Sequence, residues 1–191
     1  AGTAMRFLTS YFSSISKKSI VLTGSERMRQ RPISILVDAL KDLGCDIEYI
    51  EKKGFPPLKI NGKNISSNSV TMPANVSSQY ISSLMMLGLS LKNGLKIILS
   101  SKTTSLPYIL LTKKIIERIG GIVKMHDRKI FVEPFKEKAI PEQFVESDWS
   151  SASYFFSLAA LSKSVNLTLS KFSKDSLQGD SRLVGIYKKF G

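Results

Sequence analysis

Two spacings of apolar residues alternate along the chain. Short apolar runs bounded by Gly, Pro or Asn predict strands, and apolar residues recurring every three or four positions predict helices. Residues 2–12 read as a helix opened by a small-residue turn, and residues 19–24 as a strand stopped by Gly24. A helix with Pro32 in its first turn runs to Leu43, with Gly44 as its C-cap, and residues 45–50 alternate as a strand. Pro56-Pro57 interrupts the chain before a second strand, residues 58–60, turned by Asn61-Gly62.

A similar order then returns. Residues 69–72 form a strand, Ser77-Ser78-Gln79 opens a helix to Gly88, and residues 95–99 form a strand. Leu106-Pro107-Tyr108 opens a helix with apolar Ile109, Ile115, Ile116 and Ile119, stopped by Gly120-Gly121. Residues 122–125 and 129–132 make a hairpin around Asp127-Arg128. A third set has strands at 144–146 and 165–169 and helices at 150–161 and 180–190, the last capped by Gly191. Helix-ending glycines recur at Gly44, Gly120 and Gly191, spaced by 76 and 71 residues. The pattern predicts an α/β chain built on a repeated β-α-β-α-β-β unit, two copies nearly whole and a third incomplete. The opening Ala1-Gly2-Thr3-Ala4 and the closing helix both read as cut from something longer.

Composition narrows the classes. At 191 residues, 42% hydrophobic and 23% charged, the chain is long and apolar enough for a sizeable core. It shows no apolar run of membrane-spanning length and no leader-like segment, so neither a membrane partner nor export is expected. The single cysteine, Cys45, forms no intrachain disulfide and is compatible with a reducing cytoplasm. One cysteine and one histidine, His126, do not make a Cys/His zinc site, so no metal is expected. The net charge of +13 implies anionic partners, but the lysines are spread along the chain rather than gathered in a nucleic-acid stripe.

The sharpest local chemistry lies in LTGSERMRQRPI, Leu22 to Ile33, with Arg27, Arg29 and Arg31 at alternate positions before Pro32. In an extended segment these three side chains share one face. Proline disfavours helix at the residue before it. A row of guanidiniums beside a helix start suits a small, multiply charged anion. An anion site and a solvated basic turn both remain open on these residues alone.

With these segments in view, the chain resembles the enolpyruvyl transferases, and within them the EPSP synthase family. The resemblance is carried by AGTAMR (Ala1 to Arg6), LTGSERMRQRPI, VSSQYISSLMM (Val76 to Met86), SLPY (Ser105 to Tyr108), SDWSSASYF (Ser147 to Phe155) and SLQGD (Ser176 to Asp180). It implies a domain of three β-α-β-α-β-β units around a pseudo-threefold axis, here incomplete. Residues 1–170 would be most of the first domain and 171–191 the start of the return into a second. The implied reaction moves the carboxyvinyl group of phosphoenolpyruvate to the 5-hydroxyl of shikimate 3-phosphate, with no cofactor, in a monomeric cytoplasmic enzyme.

By position, the resemblance implies that Ser77, Ser78, Gln79, Ser105 and Tyr108 bind shikimate 3-phosphate. It implies that Gly2, Arg31 and Gln79 face phosphoenolpyruvate. Arg6, Arg27 and Asp148 are given supporting roles, and Arg29 with Arg27 a surface or second-layer place. The family's acid/base residues belong to its second domain, so none is expected here, and the 191 residues alone are expected to be inactive. Phe7 stands where proline is usual, Leu106 where lysine is common, and Trp149 where a small residue is common. Two other readings are a UDP-N-acetylglucosamine enolpyruvyl transferase and a basic nucleic-acid-binding module. The first lacks support at Val76–Gln79 and Ser105–Tyr108, which follow the shikimate pattern. The second rests on charge alone.

Overall fold

The computed structural model describes residues 1–191 except 16, 76, 104, 137, 138, 141 and 191. Val76 of the VSSQ motif and the Gly191 cap therefore lie outside the described residues. Contacts divide the chain into two compact units, Ala1–Ala139 and Ile140–Gly191.

The first unit begins with α1 (Gly2–Ser14), then β1 (Ser19–Leu22), a single turn α2 (Glu26–Arg29), α3 (Ser34–Asp42), β2 (Asp46–Tyr49) and β3 (Leu58–Asn61). It continues with β4 (Ser69–Met72), α4 (Ser78–Ser90), β5 (Leu95–Leu99), α5 (Leu106–Arg118), β6 (Val123–His126) and β7 (Lys129–Val132). One sheet has the order β1-β3-β2, all antiparallel. The other has the order β4-β5-β7-β6, with β4 and β5 parallel and the remaining pairs antiparallel. The segment β5-β7-β6 thus repeats the arrangement of β1-β3-β2, and β4 is the extra strand of the second copy. Among the described residues β1 has a partner, β3, on one side only and is an edge strand.

The repeat holds at the level of single hydrogen bonds. In α3 the apolar Leu36, Val37, Ala39 and Leu40 fall three or four apart and are buried. The helix stops where Gly44 turns to φ +93° and the Cys45 N–H donates to the Leu40 carbonyl at 2.9 Å. Gly120 turns to φ +90° in the same way, and the Gly121 N–H donates to the Ile116 carbonyl at 2.9 Å. Both are glycine stops in the left-handed region, which costs other residues steric energy. One core joins both sheets and their helices, with Leu40, Leu58, Ile60, Ile81, Leu84, Leu95 and Ile97 fully buried.

The helices α1 and α4 occupy equivalent places in the two copies and run the same way. Arg6 meets Tyr80, and the deeper Ser10 meets Ser83. Buried serines let them approach. Ser83 Oγ donates to the Arg6 carbonyl at 2.9 Å, so its single proton is used, and Ser10 is the donor in the 2.6 Å Ser10–Ser83 bond.

The second unit holds α6 (Trp149–Leu161), a 3-10 turn (Gly179–Arg182) and α7 (Leu183–Tyr187). Its α6 N-terminus is built by side chains. Asp148 Oδ1 accepts the Ser150 N–H at 3.0 Å, and Asp148 Oδ2 accepts the Ser151 hydroxyl at 2.7 Å. Glu146 accepts the Ser176 hydroxyl at 2.5 Å and the Ser173 N–H at 3.1 Å. Burial pushes the Glu146 carboxyl up, but these donors outweigh it and hold the group below the usual range.

Five expectations are corrected. The arginine segment is not extended: residues 26–29 form a helical turn, with Glu26 in its first turn. Proline restricts only the residue directly before it, so Pro32 leaves 26–29 free to coil. Pro32 itself precedes α3, which opens at Ser34 with Ile33 as N-cap. Asn61-Gly62 is no hairpin turn: Asn61 is the last residue of β3, paired with both Ser19 and Asp46. Residues 144–146 and 165–169 form no strand among the described residues, because no neighbouring strand offers them a ladder. Finally, the helix at 180–190 is a 3-10 turn followed by the short α7. No helix among the described residues is long and apolar enough to cross a membrane.

Two stability outcomes follow from this packing. An added Cβ at Gly88 would lie 2.9 Å from Leu95 Cβ and 3.0 Å from Val132 Cβ, neither of which is a flexible chain end. Gly88→Ala therefore forces α4 off its sheet. An overpacking cost of about 1–3 kcal/mol exceeds the helix-propensity gain of about 1 kcal/mol. The thermal midpoint is expected to fall, while Gly185→Ala, with open space around it, leaves it unchanged or higher.

The second outcome concerns Cys45, whose thiol burial pushes from 9.0 up to about 11, against a hydrogen bond from Ser13 and the charge of Lys63. A folded value above the unfolded one gives stability that is whole below pH 9.0 and is lost as pH rises through about 11. Ellman's reagent at pH 8 should label Cys45 only after denaturation, and urea midpoints should fall across that window less steeply in Cys45→Ala.

Candidate active site

Three helix starts carry the residues that the sequence singles out. At the start of α4, the exposed Ser77 hydroxyl accepts the Gln79 N–H at 3.4 Å, and Ser78 is buried behind it. At the start of α5, Ser105 is the N-cap but its hydroxyl makes no capping bond, and Pro107 sits in the first turn. These two starts converge. Ser77, Ser78, Gln79, Ser105 and Tyr108 line one groove of about 640 Å³, with Thr3 and Phe7 of α1 on its other wall. All five residues assigned to shikimate 3-phosphate by the resemblance are thus brought together.

The groove has two characters. Hydroxyls, the Gln79 amide and the exposed Tyr108 ring line part of it, while Leu111 and Ile115 of α5, Ile119 at the α5 C-cap and Met86 of α4 make the rest apolar. Neither α1, α4 nor α5 has an acidic residue in its first turn. The N–H groups and positive dipole ends of these helices are therefore not offset by a neighbouring carboxylate. Such an end receives phosphate or carboxylate.

The second pair, Gly2 and Arg31, also meets. A Cβ built on Gly2 would lie 2.4 Å from a terminal nitrogen of Arg31 and 2.5 Å from one of Arg6. Gly2 is a gap between two guanidiniums, and any side chain there would displace them. Arg6 is only 4% exposed and donates to the Gly2 carbonyl at 2.8 Å, one helical turn back. Its Nε is buried without a partner, and its guanidinium carbon lies 5.8 Å from the centre of the Tyr80 ring. The Tyr80 hydroxyl donates to the Pro32 carbonyl at 2.8 Å. Among the described residues neither Arg6 nor Arg31 is in an ion pair.

The three alternate arginines are not equivalent. Arg29 pairs with Glu51 on the surface, where such pairs contribute little. Arg27 is exposed on α2. Arg31 reaches Gly2. Asp148, in the second unit, spends both oxygens on the cap of α6, and its carboxyl is held low by the Ser151 hydroxyl. Of the departures, Phe7 lines the groove, Leu106 is exposed at its α5 end, and Trp149 is buried against Phe172, ring centres 4.6 Å apart.

Sequence reasoning underweighted Arg6 and passed over Tyr80 and Thr3. Arg6 could have been found, because a residue four beyond Gly2 on a helix aims its side chain back over that turn. Nothing local marks Tyr80, whose partners lie 48 and 74 positions earlier.

The family model for EPSP synthase (3-phosphoshikimate 1-carboxyvinyltransferase) matches residues 1–191. A 3-phosphoshikimate 1-carboxyvinyltransferase of Bacteroides fragilis strain YCH46 is 47% identical over 192 residues, covering 100% of this chain and 46% of its own length. That of Colwellia psychrerythraea is 39% identical over 193 residues, covering 100% of this chain and 45% of its own. The solved EPSP synthase from Acinetobacter baumannii superposes with a TM-score of 0.67 at 26% identity, over 84% of this chain and 35% of that one. The chain spans a little under half the length of these curated relatives. It belongs to the EPSP synthase family.

Proposed function

We propose that this chain supplies one side of the active site of an enzyme that joins phosphoenolpyruvate to shikimate 3-phosphate. The products are 5-enolpyruvylshikimate 3-phosphate and phosphate. The observation that carries the reading is the juxtaposition of the serine-lined groove with the Gly2 gap walled by Arg6 and Arg31. Both substrates are multiply anionic, and both features offer donors and positive charge without a competing carboxylate.

In this reading Ser77, Ser78 and the free N–H groups of α4 hold the 3-phosphate, with Ser105 and Tyr108 closing on it and on the ring. Arg31 grips phosphoenolpyruvate beside Gly2, whose missing side chain makes room for the Arg31 and Arg6 guanidiniums. Gln79, half-buried at the α4 start, reaches both. The 5-hydroxyl oxygen gives up its proton and adds to C2 of phosphoenolpyruvate as the C2–C3 double bond opens and C3 takes a proton. The tetrahedral intermediate then releases phosphate as C3 gives up a proton. Holding both anions in one desolvated geometry supplies the orientation this addition needs. The proton-moving groups lie in the second domain of the complete enzyme, with residues 1–170 in the first and 171–191 returning towards the second. The enzyme works as a cytoplasmic monomer without metal or cofactor.

Two experiments test this. The 191 residues alone should show no turnover of the two substrates in a phosphate-release assay, and turnover would defeat the division of labour. In the complete enzyme, Arg31→Ala should weaken phosphoenolpyruvate binding by about 1.5–3 kcal/mol, the worth of a charge-assisted contact. Ser78→Ala should weaken shikimate 3-phosphate instead, and calorimetry showing the reverse pattern would sink the assignment.

A further inference from the structure

Two cations flank Gly2 with no acid between them, and one side chain touches the supports of both. Tyr80 is 6% exposed and sits one residue beyond Gln79 in the first turn of α4. Its ring lies under the Arg6 guanidinium at 5.8 Å. Its hydroxyl donates at 2.8 Å to the carbonyl of Pro32, the residue directly after Arg31. That carbonyl lies ahead of α3, in a turn whose Ile33 N–H is in turn held by the Gly54 carbonyl at 2.9 Å.

We infer that Tyr80 is a positioning residue for the phosphoenolpyruvate half of the site, fixing Arg6 through its ring and Arg31 through the Pro32 carbonyl. This rests on the functional reading above. The physical case is one of competing forces. Like charges on Arg6 and Arg31 repel across Gly2, and Arg6 is buried with Nε unpartnered. Without an acid, the Arg6 charge is held by the Gly2 carbonyl and the face of an aromatic ring, an arrangement that attracts a cation without neutralising it. The charge therefore remains available to the ligand. A carboxylate in the same place would hold the arginines better but would repel phosphoenolpyruvate.

Tyr80 belongs to the same helical turn as Ser78 and Gln79. A shift of the α4 start moves the ring, and with it the floor beneath Arg6. A ring serving only to fill space would affect both substrates alike or neither.

The test uses steady-state kinetics of the complete enzyme with each substrate varied, alongside calorimetric binding of shikimate 3-phosphate and thermal midpoints. Tyr80→Phe keeps the ring and loses the hydroxyl bond, so the phosphoenolpyruvate KM should rise about two- to five-fold. Tyr80→Leu also removes the ring, and the rise should reach about ten-fold or more. In both variants kcat and shikimate 3-phosphate affinity should stay near wild type. The inference is overturned if Tyr80→Leu leaves the phosphoenolpyruvate KM within two-fold of wild type, or if both substrates weaken together. Should Tyr80→Leu not fold, an unchanged KM in Tyr80→Phe overturns it. Arg31→Ala is run in parallel: a raised KM there with unchanged Tyr80 variants removes this inference alone. An unsubstituted enzyme inert towards both substrates removes it together with the functional reading.

Discussion

The close, same-direction packing of α1 against α4 is the contact on which the site depends. It is made possible by serine side chains that bring two helices together and satisfy one another where larger residues would hold them apart. Two helices running the same way put their positive ends side by side, which is electrostatically unfavourable. An acidic residue in either first turn would relieve it, and neither helix has one. The charge imbalance is thus built into the backbone before any arginine is considered. Arg6 and Arg31 add to it instead of cancelling it, and an anion from outside is what completes the arrangement.

The internal repeat explains why the two helix starts lie together, and the differences between copies explain what each does. Equivalent backbone carries Gly2-Thr3 in one copy and Ser78-Gln79 in the other. The first start offers space bounded by cations, the second hydroxyls and an amide. The two copies share a frame, and a few side chains give its two helix starts different chemistry. The glycine stops of α3 and α5 match bond for bond, so the turns that end these helices keep one geometry in both copies.

Much of this was legible in the chain itself. The apolar periodicities marked every strand and every long helix of the first unit, because most of them bury an apolar face in a common core. The misreadings share a cause. Alternation of Arg27, Arg29 and Arg31 mimics a strand, but a local pattern of charges carries no burial energy, and a single helical turn formed instead. Asn61-Gly62 has hairpin chemistry, yet β3 takes its partners from β1 and β2 on either side. Residues 165–169 have strand-like composition without a ladder to join. For the site, motif residues were findable singly, whereas Tyr80 acquires its place only through contacts between residues far apart in the chain.

The edge strand β1 has a consequence of a different kind. Its counterpart β5 is flanked on both sides, by β4 and β7, but among the described residues β1 pairs only with β3. Its outer row of N–H and carbonyl groups lies in a short apolar strand where Val21 is 59% exposed. Such an edge can take a further strand, and the parallel β4–β5 pairing shows the orientation a well-fitting strand would take. Handled by itself at high concentration, the chain is therefore prone to edge-to-edge association, with the net charge of +13 as the opposing force, and salt that screens this charge would favour it.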